Sequence, residues 1–373
     1  MSKLHELAEI GQSVWLDYIR RSFIKHGKLD ALIEMGITGM TSNPSIFEKA
    51  INGSDDYTKE LKQLIHEGKS VEEIYSSLVI DDIQMAADQF RPIYDQTAGA
   101  DGFISLEVDP RLAQDTQKTL DEARRLWSTV DRPNLMVKIP ATQAGITAIR
   151  QAVAWGVNVN VTLIFSLARY AEVMQAYLEG LEERLKNGQP IDRIASVASF
   201  FVSRVDTKVD KRLEAIIRQE GPQAALAASL RGKAAVANAR LAYQQFQEVF
   251  GSKRFLNLRA AGARVQRPLW ASTSTKNPAY SDIKYVQELI APDTVNTLPL
   301  ETIQAFLDHG QPHITIADPE GTSERVIQAL EDLGISMDHV TQELEDEGVE
   351  AFASSFIALL ENIAMKQDQA AQS

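Results

Sequence analysis

The stretch Asn134-Leu135-Met136-Val137-Lys138-Ile139-Pro140-Ala141-Thr142 predicts a short buried strand with one lysine set into it. Its apolar residues form the continuous run that is typical of a parallel strand covered on both faces. A lysine in such a run reaches a carboxylate, extends its amino group to solvent, or stays desolvated with the ammonium form disfavoured. A desolvated amine is the nucleophile that forms a Schiff base with a carbonyl compound. Taken alone, the stretch favours a lysine that extends to solvent from a strand end.

The composition indicates a folded globular chain and excludes several classes of function. The 373 residues are 44% hydrophobic and 24% charged, with a net charge of −13 that disfavours nonspecific binding to nucleic acid or to an anionic membrane. The absence of cysteine excludes disulfides, thiolate catalysis and cysteine-ligated zinc. Because the N-terminus lacks an apolar signal segment and the sequence lacks a run of eighteen apolar residues, we expect a cytoplasmic protein that does not enter the membrane.

The order of apolar and turn residues predicts a (β/α)8 barrel in a single domain spanning 1–373. Strands are predicted at 13–17, 37–45, 102–108, 134–139, 157–165, 194–202, 268–273 and 294–299. Helices are predicted at 4–14, 28–35, 55–98 with a break near Gly68, 111–128, 143–154, 166–186, 204–219, 222–249, 301–309, 321–333, 336–346 and 348–366. The helices within about 204–265 form an insertion, those within about 320–366 follow the barrel, and 367–373 is a polar tail. An open doubly wound sheet is the alternative, but the sequence lacks its Gly-x-Gly-x-x-Gly turn.

Polar residues recur on the predicted inner faces of the strands. Side chains two positions apart share a face of a strand, and active sites of barrels lie at the C-terminal ends of the strands. Asp17 and Lys138 lie at a similar depth to four such polar sets, which are Ser105 with Glu107, Asn160 with Thr162, Thr41 with Asn43, and Ser199 with Phe201 and Ser203. Because buried polar groups need partners, we predict that these residues surround a polar pocket.

The residue types in this pocket indicate imine chemistry that needs neither a metal nor a cofactor. Lys138 supplies an amine, Asp17 and Glu107 supply carboxylates, and Thr162 supplies a hydroxyl. In this interpretation the lysine attacks a ketose carbonyl, one carboxylate moves a proton during C–C cleavage, and the other holds a water with the hydroxyl. All histidines are predicted on helices or their ends, which disfavours a Ser-His triad and histidine-ligated metal; they are His5, His26, His66, His309, His313 and His339.

Six segments of the chain strongly resemble the transaldolase family and occur in the family's order. They are Trp15-Leu16-Asp17, Thr41-Ser42-Asn43-Pro44-Ser45, Ser105-Leu106-Glu107-Val108-Asp109, Val137-Lys138-Ile139-Pro140-Ala141-Thr142, Asn158-Val159-Asn160-Val161-Thr162-Leu163-Ile164-Phe165-Ser166 and Ser199-Phe200-Phe201-Val202-Ser203-Arg204. The second and fifth are the most specific, and the similarity covers nearly the whole chain. The length and the segment from Trp270 to Pro278 are similar to the longer bacterial and plastid-type members.

The resemblance implies a role for each of four catalytic residues. Lys138 would form the Schiff base with the ketose donor, and Asp17 would be the acid and base for the hydroxyl at the cleaved bond. Glu107 and Thr162 would position the catalytic water. Phe201 separates the chain from the smaller fructose-6-phosphate aldolases, which carry a tyrosine as acid and base at the matching position.

The resemblance also implies which residues bind the substrate. Asn43 and Asn160 would hold dihydroxyacetone hydroxyls with Thr41 nearby, and Ser199 would line the donor site. Arg204 matches the family's phosphate-binding arginine. A second basic contact comes from an Ala-Ser-Phe-Arg motif in shorter members. Here that motif reads Ala271-Ser272-Thr273-Ser274, so the arginine is missing and Lys276 is the predicted substitute.

The implied reaction is the transfer of a three-carbon dihydroxyacetone unit between sugar phosphates of the pentose phosphate pathway. The expected substrates are fructose 6-phosphate, sedoheptulose 7-phosphate, erythrose 4-phosphate and glyceraldehyde 3-phosphate, with no nucleic-acid or membrane partner, in a monomer or homodimer. One alternative is a fructose-6-phosphate-type class I aldolase that releases free dihydroxyacetone. Another is a catalytically silent sugar-phosphate-binding protein on the same barrel.

Overall fold

Eight parallel strands close into a barrel in the computed structural model, which describes residues 2–318 and 321–371. Each strand pairs with the next in sequence, and the last pairs with the first. The strands are β1 Gln12–Asp17, β2 Ile37–Thr41, β3 Ile104–Glu107, β4 Leu135–Pro140, β5 Val159–Ile164, β6 Ser196–Phe201, β7 Gln266–Ala271 and β8 Thr294–Leu298. All eight predicted strands are present, and the predicted barrel is confirmed. That 1–373 forms a single domain stays a prediction.

Helices surround the barrel and connect its strands. In the described ranges they are α1 Lys3–Ile10, α2 Arg21–Lys25, α3 Lys28–Glu34, α4 Pro44–Asn52, α5 Thr58–His66, α6 Val71–Gln96, α7 Thr116–Val130, α8 Gln143–Trp155, α9 Leu167–Lys186, α10 Ser203–Ile217, α11 Ala224–Leu230, α12 Ala234–Gly251, α13 Lys253–Ala260, α14 Lys284–Glu288, α15 Leu300–His309, α16 Thr322–Asp332 and α17 Met337–Ala371, with a 3₁₀ turn at Pro110–Leu112. Ser70 begins α6 with a capping box to Glu73, and Ser166 caps α9 as its sequence predicts.

Several predicted boundaries are wrong for identifiable reasons. Strand β2 ends at Thr41, because Asn43 is the N-cap of α4 and its side-chain oxygen accepts a hydrogen bond from the Ile46 N–H. The helix predicted over 4–14 ends at Ile10, where Gly11 adopts a left-handed conformation. The helix predicted over 222–249 is two helices, α11 and α12. The sequence pattern also missed the short helices α2, α4, α13 and α14.

The helix α17 lies across the C-terminal mouth of the barrel. It runs from α10, which follows β6, past the end of β5 to α4, which follows β2. A Cβ atom at Gly348 would lie 2.9 Å from Cδ2 of Leu163, so the glycine permits the close approach of α17 to β5. The sequence predicted two helices, at 336–346 and 348–366. This prediction is wrong, because α17 is one continuous helix. The predicted polar tail is helical through Ala371, while 319, 320, 372 and 373 lie outside the described residues.

The segment Met337–Gln369 of α17 is long and apolar enough, by length and composition alone, to cross a membrane. This segment was not predicted from the sequence, because charged residues interrupt every run of eighteen residues in it. In the structure, the buried side chains of α17 contact the barrel and its helices; they include Val340, Leu344, Phe352, Phe356, Leu359 and Ile363. Packing within the protein accounts for part of this apolar composition, because 33% of the apolar eighteen-residue window is buried, whereas Ile357 and Met365 are exposed.

Candidate active site

A cavity of about 890 Å³ opens at the C-terminal ends of the strands, beneath α17. It is lined by nine of the eleven residues that the sequence predicted for the site, namely Asp17, Thr41, Asn43, Lys138, Thr162, Ser199, Phe201, Arg204 and Lys276. Of the other two, Asn160 does not line this cavity, and Glu107 lines a neighbouring one. The barrel therefore brings together residues that are up to 259 positions apart in the sequence, from Asp17 to Lys276.

Lys138 projects from the middle of β4 and is 5% exposed. Strand register places it beside Glu107 of β3 and Asn160 of β5. Its Nζ lies 3.3 Å from Oε2 of Glu107 and donates a hydrogen bond of 3.1 Å to the carbonyl oxygen of Ser42. Of the three states that the sequence allowed for this lysine, the structure shows the one in which it reaches a carboxylate.

Glu107 is a buried carboxyl whose oxygens remain able to accept hydrogen bonds. Its pKa is raised from 4.5 to about 7 because burial disfavours the charged form, and the opposing charge of Lys138 offsets this in part. Within the described part of the chain, neither carboxylate oxygen accepts a well-formed hydrogen bond, and the hydroxyl of Thr162 also lacks a partner. Because buried polar atoms are normally paired, these atoms are candidates for binding a water or a ligand.

Asp17, at the end of β1, is oriented by a chain of hydroxyl groups. Oγ1 of Thr41 donates a hydrogen bond of 2.8 Å to Oδ1 of Asp17, and Oγ1 of Thr297 on β8 lies 2.5 Å from Oγ1 of Thr41. Burial raises the pKa of Asp17, while the charges of Lys138 and Arg204 act against that rise. Asp17 is thus a fixed carboxyl whose pKa favours proton exchange more than that of an exposed aspartate does.

Asn160 is held by neighbouring strands and does not line the cavity. Its Nδ2 donates a hydrogen bond of 2.9 Å to Oγ of Ser105, and its Oδ1 accepts one of 2.7 Å from Oγ of Ser199. Asn43 does line the cavity, with its Oδ1 engaged as the cap of α4. The amide group of Asn43 therefore retains its two N–H donors for a ligand.

Cationic side chains gather on one side of the mouth, although the chain as a whole is acidic. The guanidinium of Arg204 lies 5.0 Å from the ring centre of Phe201, and burial lowers the pKa of Arg204. Nζ of Lys276 donates a hydrogen bond of 2.7 Å to Oγ of Ser274. Lys208 and Lys211 also line the cavity, and Lys208 is paired with Glu343 and Glu347 of α17. This side of the mouth can receive an anionic group.

Three features of this site were not predicted from the sequence. Thr297 lies at the C-terminal end of a predicted strand, so its position signalled a site residue. Lys208 and Lys211 lie one and two turns after Arg204 on α10, and their helical spacing is visible in the sequence. Phe352 had no such signal, because it reaches the cavity from α17 and only the folded chain places its ring 5.5 Å from Nζ of Lys138.

The fold and site define a (β/α)8-barrel enzyme with a buried lysine between two carboxyl groups at the mouth. The family model described as Transaldolase/Fructose-6-phosphate aldolase matches residues 14–363. The chain is 51% identical to a transaldolase of Saccharopolyspora erythraea over 99% of both chains, and 51% identical to one of Thermobifida fusca over 98% of both. It is 50% identical to a transaldolase of Mycolicibacterium smegmatis over 96% of this chain and 95% of that one.

The chain belongs to the transaldolase/fructose-6-phosphate aldolase family. The resemblance found in six short segments is thereby confirmed over nearly the full length. The full-length matches also confirm the prediction that the chain is an enzyme of the transaldolase type.

Proposed function

We propose that this chain transfers a dihydroxyacetone unit between sugar phosphates through a Schiff base on Lys138. The observation that carries the proposal is the placement of Nζ of Lys138 at the wall of the cavity, 3.3 Å from Oε2 of Glu107. An amine in this position can attack a ketose carbonyl in the cavity. The carboxyl beside it can accept or return the protons that imine formation requires.

The first half of the reaction uses Lys138 and Asp17. The amine adds to C2 of the ketose and the oxygen leaves as water, which gives the imine. The C3–C4 bond then breaks and its electron pair forms the enamine, while the C4 hydroxyl proton passes to Asp17 and the aldehyde departs. The hydrogen bond from Thr41 fixes the Asp17 carboxyl for this transfer.

Glu107 and Thr162 are proposed to bind the water of imine formation and hydrolysis. Both carry buried oxygens without hydrogen-bond partners in the described residues, and the pKa of Glu107 near 7 suits a group that both takes and gives protons. In the second half of the reaction the enamine attacks the acceptor aldehyde, Asp17 returns its proton, and water releases the product from Lys138.

Arg204 and Lys276 are proposed to bind the substrate phosphate, with Thr41, Asn43, Asn160, Ser199 and Phe201 surrounding the three-carbon unit. Arg204 offers a planar set of donors, and Lys276 offers a charge from the loop after β7. Arg204→Lys should raise KM for fructose 6-phosphate roughly tenfold and leave KM for unphosphorylated fructose nearly unchanged. Equal changes for the two sugars would contradict the phosphate assignment.

The dependence on an acceptor tests the reaction as a whole. With fructose 6-phosphate and erythrose 4-phosphate the enzyme should form sedoheptulose 7-phosphate and glyceraldehyde 3-phosphate. Without erythrose 4-phosphate, release of free dihydroxyacetone should be slow. Equal rates with and without the acceptor would establish the class I aldolase alternative, and no turnover of either kind would establish the silent sugar-phosphate-binding alternative. We further propose that the enzyme acts in the cytoplasm as a monomer or homodimer.

A further inference from the structure

We propose that Phe352 of α17 determines how the lysine-bound three-carbon unit is partitioned between an aldehyde acceptor and water. The inference rests on the proposed Schiff base at Lys138. It concerns a residue outside the barrel strands, on a helix that contributes no acid, base or nucleophile to the proposed mechanism. Phe352 is 4% exposed, and its ring lines the cavity above the lysine.

Three groups enclose the amino group of Lys138. The carbonyl oxygen of Ser42 lies 3.1 Å from Nζ, Oε2 of Glu107 lies 3.3 Å away, and the ring centre of Phe352 lies 5.5 Å away. The first two are hydrogen-bond acceptors, whereas the ring presents an apolar face. Lys138 and Phe352 both line the cavity, so a substrate bound to Nζ there has the ring of Phe352 near its imine.

Polar contacts hold α17 in place on both sides of this ring. On the N-terminal side, Glu343 pairs with Lys208 at 2.7 Å and with Arg212 at 2.8 Å. On the C-terminal side, Oγ of Ser355 lies 2.7 Å from Oγ of Ser45 on α4. These contacts anchor α17 to α10 and α4 on either side of Phe352.

The chemistry of the enamine explains why this wall matters. After C–C cleavage the electron pair lies on C3 of the three-carbon unit, and C3 can attack the acceptor aldehyde to form a new C–C bond. If C3 instead takes a proton from water, the resulting imine adds water at C2, and free dihydroxyacetone leaves Lys138. Transfer therefore requires that water be kept from C3 until the aldehyde arrives.

Phe352 can exclude water from this position without supplying a proton. Its side chain has no hydrogen-bond donor, and its ring also interacts favourably with a cationic nitrogen at this distance. Phe201, on β6, is a second aromatic residue of the cavity wall without a proton to donate. Of these two rings, the one on α17 contacts Lys138.

The test compares Phe352→Leu with the matched variant Phe356→Leu. Phe356 lies one turn further along α17, where its ring contacts Tyr75 and Arg111 and does not line the main cavity. Each variant and the unaltered enzyme are assayed with fructose 6-phosphate for free dihydroxyacetone without acceptor and for transfer to erythrose 4-phosphate. Trapping of the Lys138 adduct by borohydride is measured alongside.

Phe352→Leu should raise the ratio of released dihydroxyacetone to transfer about tenfold, because water then reaches C3. It should lower kcat/KM for transfer only about twofold to fivefold, with the adduct still on Lys138. Phe356→Leu should leave the ratio unchanged. An unchanged ratio in Phe352→Leu, or an equal rise in both variants, would overturn the proposal.

Phe352→Met serves as a second variant if the leucine variant does not fold, and the same outcomes apply to it. Absence of a trapped adduct in the unaltered enzyme is a different result, because it removes the Schiff base at Lys138 and with it the proposed mechanism. The failure of the mechanism and the failure of the Phe352 assignment are therefore distinguishable.

Discussion

Asp101 and Glu107 are buried carboxyl groups at opposite ends of the same barrel strand, and they differ in the number of hydrogen bonds that they accept. Asp101, before β3, accepts hydrogen bonds from Ser13, from Nε1 of Trp15 at 2.8 Å and from the Gly102 N–H at 3.0 Å. Arg267 lies 3.6 Å away. Glu107, at the end of β3, has one ion pair at 3.3 Å and no well-formed hydrogen bond among the described residues.

The difference indicates how a structural carboxylate, Asp101, can be distinguished from Glu107, for which we propose a catalytic role. A carboxylate with several donors is stabilised in its charged form and has little capacity left for a ligand. Glu107, a buried carboxyl with one partner, retains lone pairs, and burial raises its pKa to about 7. Unpaired amide oxygens also occur at the other end of the barrel, in Gln12 and Gln266, so a missing partner is informative mainly for a charged group.

The largest effects are expected from replacing each carboxylate by its amide. Glu107→Gln should lower kcat for transfer about 10²-fold to 10³-fold, because a positioned acid and base is lost. Asp101→Asn should leave kcat per folded molecule unchanged and lower the free energy of unfolding by about 2–3 kcal/mol, because charge-assisted hydrogen bonds are lost. Steady-state kinetics and urea unfolding of both variants are the measurements. If the two variants behaved alike, the distinction between the two ends of the barrel would be wrong.

The sequence predicted the fold because its signals are local. The apolar run around Lys138, the helix cap at Ser166 and the left-handed glycine after α8 each specify a neighbouring element. The polar residues on alternate strand positions likewise predicted where the site lies. Seven of the nine predicted residues that line the cavity come from this pattern, whereas Arg204 and Lys276 were predicted from the family resemblance.

The sequence could not predict features that depend on distant partners. Asp101 and Glu107 are both acidic residues beside one strand, and only the folded chain shows how many donors each receives. Gly348 predicts a helix end from its low helix propensity, yet close packing on Leu163 keeps α17 continuous. Phe352 and Lys138 are more than half of the sequence apart, yet the fold brings them into contact.

The free energy of unfolding should depend on pH through the raised pKa of Glu107. Because the pKa of Glu107 is raised from 4.5 to about 7, its carboxyl contributes stability that is fully present below pH 4.5 and is lost as the pH rises through 7. Between pH 4.5 and pH 8, the unaltered protein should therefore lose up to about 3 kcal/mol of unfolding free energy relative to Glu107→Gln. Urea unfolding of both proteins across this range measures the difference. A constant difference would show that burial does not raise this pKa.

The smallest effect concerns two threonines at opposite ends of β8. Thr297→Val removes the hydroxyl that bonds to Thr41, and so loosens the Asp17 carboxyl. Its kcat should fall roughly threefold to tenfold, with KM little changed. Thr294→Val removes a hydroxyl that bonds to the carbonyl of Ala291 and should affect stability without changing kcat. A fall in kcat for both variants, or for Thr294→Val alone, would argue against a dedicated role for Thr297.

The central claim is that Lys138 forms the covalent intermediate. Its partner Glu107 accepts no well-formed hydrogen bond among the described residues. The direct measurement is borohydride reduction in the presence of fructose 6-phosphate, followed by peptide mapping, with Lys49→Met as a control for other lysines lining the cavity. We predict one reduced three-carbon adduct on Lys138, unchanged in Lys49→Met and absent in Lys138→Met. No adduct, or an adduct on another lysine, would contradict the account.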